Sequence, residues 1–459
     1  MKGYFSRFEN GDQPMTPIGQ IFAQPSLYQV MNTVLTTASP VDVTSLKAEL
    51  ANSPFTRLPR FTSLLHRDPK SGQEHWRRTR VIIEDHVKVI DDCSQIDDVN
   101  DYLADLAVSC PLPTNKPLWE IHVLPAHSCT IIIRTHHALA DGLSMMSLLQ
   151  SFGSTKSQPP AENVKRRKPT NAMNDEKKLP IIVWDFFNMI WFTFIYAVEL
   201  IMRLLVKDDE TMLKGGDGVE LWPRKLATAS FFIEDMKAVK TSVFPNATIN
   251  DVMLGIVSLG LSLYMHLSSP GVREGTRITA FTMANLRSTS GIPDITDLVT
   301  GDSETWWGNK VGFLLHPIRI CKPGETDPVQ HLKAAQAAMN KKKISKVAHL
   351  SHFFLNMART LFSPKFSAWL FYRAACNTTL LFSNTMGPTR EIYMAGNLVT
   401  SIKASATGSP QAVTIHAVSY VGKVEMQVLV AKDIVPDPDV LAKCFEEALQ
   451  NLKKATMHG

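Results

Sequence analysis

Two adjacent histidines, His136 and His137, follow the isoleucine run Ile131–Ile133 in "CTIIIRTHHALADGLS", and Asp141 and Gly142 complete the spacing H-H-x-x-x-D-G. A neutral imidazole takes up a proton near pH 7, which is what attack of an alcohol on an acyl carbonyl requires. An aspartate four residues on, beyond a turn, can bind neighbouring polar groups and hold the loop in shape. A glycine beside it permits close backbone approach or a positive φ. Side chains alternate along a strand, so at most one of the two histidines readily enters a given site. Two other readings compete: satisfied polar residues at a strand end, and metal ligands. A metal needs further ligands, and no second His, Cys or carboxylate cluster presents itself in the sequence, so none is expected.

Other chemistries lack their signatures. There is no G-x-S-x-G around a serine, and no P-loop, G-x-G-x-x-G or H-E-x-x-H. At 459 residues two domains are expected, and 44% apolar with 20% charged residues is a globular composition. The net charge of +5 is spread along the chain, with no aromatic-interleaved basic stripe, so nucleic acid is not an expected partner. Six cysteines without a C-x-x-C pair suit a reducing compartment. The first residues carry no apolar h-region, so a secretory signal is not expected, and the sequons at Asn246 and Asn377 read as chance matches.

The elements that must position the histidines are legible in outline. "PLWEIHVL" (Pro117 to Leu124) and "TIIIRTHH" (Thr130 to His137) read as strands around the turn-like "PAHS". Gln95 to Ser109 has apolar residues at helical spacing, and His75 to Ile90 reads as a strand followed by extended chain. Ser154 to Lys178 is a polar, Pro-containing linker, whose basic cluster Lys165 to Lys168 is either solvated or meets anionic headgroups. Leu179 to Lys207 is long and apolar enough to span a bilayer. Yet Asp185, Asn188, Glu199 and Arg203 fall within about 60° of one another on a helix, and Glu199 and Arg203 form a favourable i,i+4 pair. Such a helix can span, lie in the membrane interface, or pack on the protein; Trp184, Trp191 and Lys207 suit an interface. Further on, Thr248 and Asp251 form a capping-box-like start to a long apolar helix. Asn309 to Ile320 and Ala412 to Asp433 read as strands, the latter with a hairpin turn at "SYVGK", and a helix runs on from Pro438. Interleaved strands and helices predict an α/β fold.

H-H-x-x-x-D-G resembles the active-site motif of the CoA-dependent acyltransferase superfamily, and the doubled histidine is similar to the wax ester synthase/diacylglycerol acyltransferase family, especially its plant members. Further blocks resemble that family in order: "PMTPIGQIF", "KPLWEIHVL", "ATINDVMLG", "ANLRS", "WGNKVGFLLHPI" and "SNTMGPTREI". "PMTP" departs from the more usual P-L-S-P, and Asp185 and Glu199 interrupt the family's membrane segment. No D-F-G-W-G is present, which discounts the plant BAHD acyltransferases.

The resemblance implies two chloramphenicol-acetyltransferase-like α/β domains, residues 1–153 and 221–459, with an active-site tunnel between them. Residues 154–220 would be the linker and a membrane-associated helix. It implies no bound cofactor, acyl-CoA as co-substrate, and a fatty alcohol or diacylglycerol as acceptor. The membrane surface would be a partner, in the endoplasmic reticulum with the site toward the cytosol, or in the plasma membrane. His137, in the H-x-x-x-D-G register, would be the general base, with His136 supporting it and Asp141 and Gly142 shaping the loop. Asn384 would contact substrate or polarise the thioester carbonyl, or else be a turn asparagine. Asn250 would face the tunnel or serve the helix start. Asn285 and Arg287 would line the site, with Arg287 on a CoA phosphate or in a structural ion pair. An acyltransferase for a soluble acceptor and an inactive lipid-binding protein on the same fold remain the alternatives.

Overall fold

The computed structural model describes residues 12–68, 74–90, 98–109, 111–125, 130–152, 179–243, 247–269, 273, 275–287, 291–293, 295, 307–321 and 327–457. The "PAHS" turn, the linker with its basic cluster and the sequon at Asn246 lie outside them.

Two six-stranded mixed sheets and a small three-stranded one make up the described strands. In chain order the main strands are β1 (Val30–Thr37), β2 (Val87–Val89), β3 (Trp119–Leu124), β4 (Thr130–His136), β5 (Arg224–Phe232), β6 (Ile278–Asn285), β7 (Val311–Ile318), β8 (Leu380–Met386), β9 (Tyr393–Met394), β10 (Asn397–Ala406), β11 (Val413–Tyr420) and β12 (Lys423–Ala431). The first sheet runs β9-β10-β1-β4-β3-β2 and the second β7-β6-β8-β11-β12-β5. The helices used below are α1 (Pro17–Phe22), α2 (Val99–Ser109), α3 (Gly142–Gln150), α4 (Leu179–Met202), α5 (Ile249–Ser268), α6 (Val329–Ile344), α7 (Val347–Leu361), α8 (Pro364–Cys376) and α9 (Pro438–Met457).

Local sequence explains most of these elements. Every residue of β4 is buried, with Ile131 and Ile133 in one apolar cluster and Ile132 in another, as a strand covered on both faces requires. The β-branched run suits a pleated surface. The capping box at α5 is complete: Thr248 Oγ1 accepts from Asp251 N–H, and the Asp251 carboxylate accepts from Thr248 N–H at 2.7 Å. Apolar nearly all round, α5 is the core helix of the second sheet, beside α9. The β11–β12 turn is Val421-Gly422, both at positive φ, as a two-residue hairpin of right-handed strands demands.

Three expectations change. Residues 221–459 do not make up a self-contained domain, because after β8 the chain adds β9 and β10 to the first sheet before returning as β11. There β10 pairs antiparallel with β1 and satisfies what would be an open edge. His75 to Ile90 is not simply strand and extended chain: Glu74–Arg78 is a strand, Ile83–His86 a helical turn and Val87–Val89 a second strand. The His86 ring stacks on Trp119 at 3.8 Å between centroids, which draws that turn inward. Lastly, Glu199 on α4 and Arg203 just past its end do not pair with each other. Glu199 meets Lys342 at 3.4 Å and Arg203 meets Asp208 at 2.7 Å, so both turn toward the protein.

Candidate active site

β4 ends at His136, and the two rings part there. His136 is buried against Tyr28, centroids 4.5 Å apart, and its Nδ1 accepts from Ala138 N–H at 3.1 Å. Burial and the neighbouring His137 push its pKa down to about 3, so it is neutral. It does not line the cavity described next. His137, one residue on, packs its ring against Phe22 of α1 with centroids 4.5 Å apart and lines a cavity of about 270 Å³ between the two sheets. The two rings part as expected, but because the strand ends at His136 and His137 opens the turn that follows.

The second sheet's loop before β7 holds His137. Asn309 Nδ2 donates to His137 O at 2.7 Å, so its Oδ1 is left as the acceptor for the His137 Nδ1–H at 2.9 Å. That bond selects the tautomer with Nδ1 protonated and leaves the Nε2 lone pair unused. Burial lowers the His137 pKa below its ordinary value, so the ring is a neutral base at pH 7.

Asp141 is the N-cap of α3: its Oδ1 accepts from Ser144 N–H at 3.0 Å, a type of cap typically worth about 1 kcal/mol. Its other oxygen meets Arg287 Nη1 at 2.7 Å, with the Arg287 side chain 1% exposed. Arg287 also donates to Ser144 Oγ at 3.1 Å and to the Gly308 carbonyl. Asn285 Oδ1 accepts from Arg287 N–H at 3.0 Å and from Nη1 at 3.2 Å. Arg287 thus ties the two sheets together and Asn285 orients it, and both line the cavity as expected. Gly142 opens α3 at an ordinary φ; a Cβ there would lie 3.0 Å from Thr385 Oγ1, so its role is close approach to β8. Gly308 has φ +97°, and a Cβ there would collide with Arg60, which restricts the position to glycine and sets up Asn309.

Asn384 lies on β8, not in a turn, and is exposed at the cavity rim, where its Nδ2 donates to Asn250 Oδ1 at 3.2 Å. Asn250 meets the rim only through that bond, and the helix start is capped by Thr248 and Asp251 instead. Two site residues were missed from sequence, Asn309 behind His137 and His416 in the cavity wall. Asn309 sits inside the quoted "WGNKVGF", where a strand reading drew attention to the apolar residues only. His416 on β11 lines the same cavity, and burial, with His137 nearby, pushes its pKa to about 4. A histidine inside the strand-like "TIHAVSY" is the only signal that could have marked it.

Two open sheets that exchange a strand pair, with a histidine loop tied across their junction, define a two-domain acyltransferase-like and condensation-domain-like class. The first condensation domain of the CDA synthetase superposes with a TM-score of 0.56 at 12% identity, covering 98% of this chain and 97% of that one. The wax ester synthase/diacylglycerol acyltransferase from Marinobacter aquaeolei VT8 superposes with a TM-score of 0.58 at 16% identity, covering 97% and 100%. The wax ester synthase/diacylglycerol acyltransferase catalytic domain model matches residues 24–189, and the WS/DGAT C-terminal domain model matches residues 307–453. Wax ester synthase/diacylglycerol acyltransferase 4 of Arabidopsis thaliana is 31% identical over 97% of this chain and 90% of that protein, and number 11 is 30% identical over 97% and 96%. The chain belongs to the wax ester synthase/diacylglycerol acyltransferase family.

Proposed function

We propose that the protein is an acyl-CoA-dependent O-acyltransferase that joins an acyl group to a long-chain fatty alcohol, giving a wax ester, or to diacylglycerol, giving triacylglycerol. The observation that carries this is the His137–Asn309 pair, which presents a neutral imidazole, with its Nε2 unprotonated, at the cavity between the sheets. His137 Nε2 takes the hydroxyl proton as the alcohol oxygen bonds to the thioester carbonyl carbon. The C–S bond then breaks, and the proton passes from the imidazolium to the departing CoA sulfur. General-base help of this kind typically contributes about 10²–10⁴ in rate, and positioning supplies the rest. Asp141 and Arg287 act by holding the loop, and Asn384 stands at the rim where a substrate carbonyl or hydroxyl would pass.

Both acceptors dissolve in membranes, and α4 exposes Trp184, Trp191 and Phe194, which supports membrane association. The free thiols of Cys321, Cys376 and Cys444, and the burial of the sequon residue Asn377, support a cytosol-facing site on the endoplasmic reticulum or plasma membrane. Incubation with labelled acyl-CoA and with fatty alcohol and diacylglycerol in competition tests the reading. Wild-type protein forms wax ester, triacylglycerol or both, and His137→Ala, expressed at the same level, forms at most about 1% as much. Near-normal product from His137→Ala, or acylation of a soluble acceptor alone, sinks the proposal.

A further inference from the structure

The segments before and after α4 form one body. Asn309 bonds His137, Arg287 pairs with Asp141, and β10 runs along β1. A single crossing of a bilayer by α4 would put residues 12–152 and 203–457 on opposite sides, which these contacts forbid. Among the described residues the other helix long and apolar enough to cross is α5, and 78% of its apolar window is buried in the core of the second sheet. It offers no return span.

The second half of α4 is instead fastened to the protein. Thr193 Oγ1 accepts from Lys346 N–H at 2.9 Å, the buried Lys342 lies over the Tyr196 ring at 3.9 Å and meets Glu199, and Arg203 pairs with Asp208. Thr193, Glu199 and, just past the helix end, Arg203 thus face inward, Asp185 nearer its start is exposed, and Trp184, Trp191, Phe194 and Ile201 face out. Beside it α7 also exposes an apolar stripe, Phe353, Met357 and Leu361, at the spacing of one helical face, and Trp369 of α8 is 53% exposed. Lys341 and Lys346 are exposed at the α6–α7 junction, next to α4, while Lys343 between them pairs with the Asp251 carboxylate at 3.5 Å. Between α4, α7 and α8 lies an apolar cavity of about 180 Å³. Ile201 and Phe354 line it and are also exposed, so it opens on this face. Its inner wall, Phe371, packs on Phe22, the ring that backs His137.

We propose that α4, α7 and the start of α8 form a monotopic docking face that sits in one leaflet of an anionic bilayer, with the lysines on its headgroups. Apolar patches of this size on a soluble surface mark a partner, and a lysine pair beside aromatic side chains fits a leaflet. The proposal rests on the membrane association proposed above and adds the surface and the topology. Docking of this kind brings the mouth of the apolar cavity to the depth of the acyl chains.

Flotation of the full-length protein with phosphatidylcholine vesicles, with and without about 30 mol % phosphatidylserine, tests it. Wild-type protein should float with both and far better with the anionic vesicles. Lys341→Gln/Lys346→Gln should lose about 25-fold in partitioning to the anionic vesicles, at roughly fivefold per lysine, and little to phosphatidylcholine alone. Trp191→Glu/Phe353→Glu/Trp369→Glu should float with neither, yet still turn over a short-chain acyl-CoA with a water-soluble alcohol. Flotation of that variant, or its loss of soluble turnover, overturns the docking face. Protease added outside sealed microsomes should cleave epitopes inserted at residue 160 and at the C-terminus alike, and protection of either overturns the monotopic topology. Wild-type protein that floats but transfers no acyl group would fail the catalytic reading and leave the docking face standing.

Discussion

Asn309→Asp separates a positioned base from a merely buried histidine. In the native protein Asn309 accepts from the His137 Nδ1–H at 2.9 Å and donates to His137 O at 2.7 Å. Aspartate keeps the acceptor, loses the donor and adds a negative charge beside the ring. An opposite charge at such distance raises an imidazole pKa by about 1–3 units. Burial holds His137 below 6.5, and only the neutral ring accepts the alcohol proton, so the native rate should fall only as pH drops through a value under 6.5. In Asn309→Asp that acid limb should move up by about 1–3 units, while the lost donor and the buried carboxylate cost about 1–3 kcal/mol of stability. Asn309→Ala is the control: it releases the tautomer without adding charge. It should lower kcat by about 5- to 150-fold, the equivalent of 1–3 kcal/mol, with the acid limb close to native. The assay is kcat/KM from pH 5 to 9 at constant ionic strength, with thermal unfolding to establish that each variant is folded. A folded Asn309→Asp protein whose acid limb stays in the native position refutes the contact between Asn309 and the base.

Asp141→Ala strands the buried Arg287 guanidinium and should cost about 3–5 kcal/mol in urea unfolding, whereas Asp141→Leu/Arg287→Met should recover much of that; equal losses in both variants would contradict a tie that matters as a pair. His416→Leu should lower kcat at least about tenfold through loss of a polar group in the cavity, with melting unchanged and Gln at this position partly restoring the rate; a native rate in His416→Leu removes it from the site. Acid sensitivity follows from His136 and His316, pushed by burial to about 3, and His86, to about 4. Each has its folded pKa below the unfolded value near 6.5, so the unfolded chain binds protons first; the stability they contribute is complete above pH 6.5 and is lost as pH falls toward 4. Each group should cost on the order of 2 kcal/mol by pH 5, and a urea midpoint that is the same at pH 7 and pH 5 would count against their burial as neutral rings.

Local pattern was enough to read the strands at the histidines, the capping box at Thr248 and Asp251 and the Val421-Gly422 hairpin, because each depends on periodicity or on a few adjacent residues. The order of short blocks along the chain was enough to suggest the family. The unequal fates of His136 and His137 were expected from strand alternation, but the structure ends the strand at His136 and turns His137 into the loop. Other features were decided by the tertiary structure alone. Asn309 holds His137 from 172 residues away, and Arg287 meets Asp141 across 146. Nothing local distinguishes such partners from any other asparagine or arginine. The transfer of β9 and β10 to the first sheet is set by the edge that needs a partner, not by their own composition. The polar stripe of α4 was visible in sequence, but whether it faced water, lipid or protein depended on Lys342, Lys346 and Asp208, residues brought to it only by folding. Backbone periodicity is a property of the segment, whereas the partner of a buried polar group is a property of the whole fold.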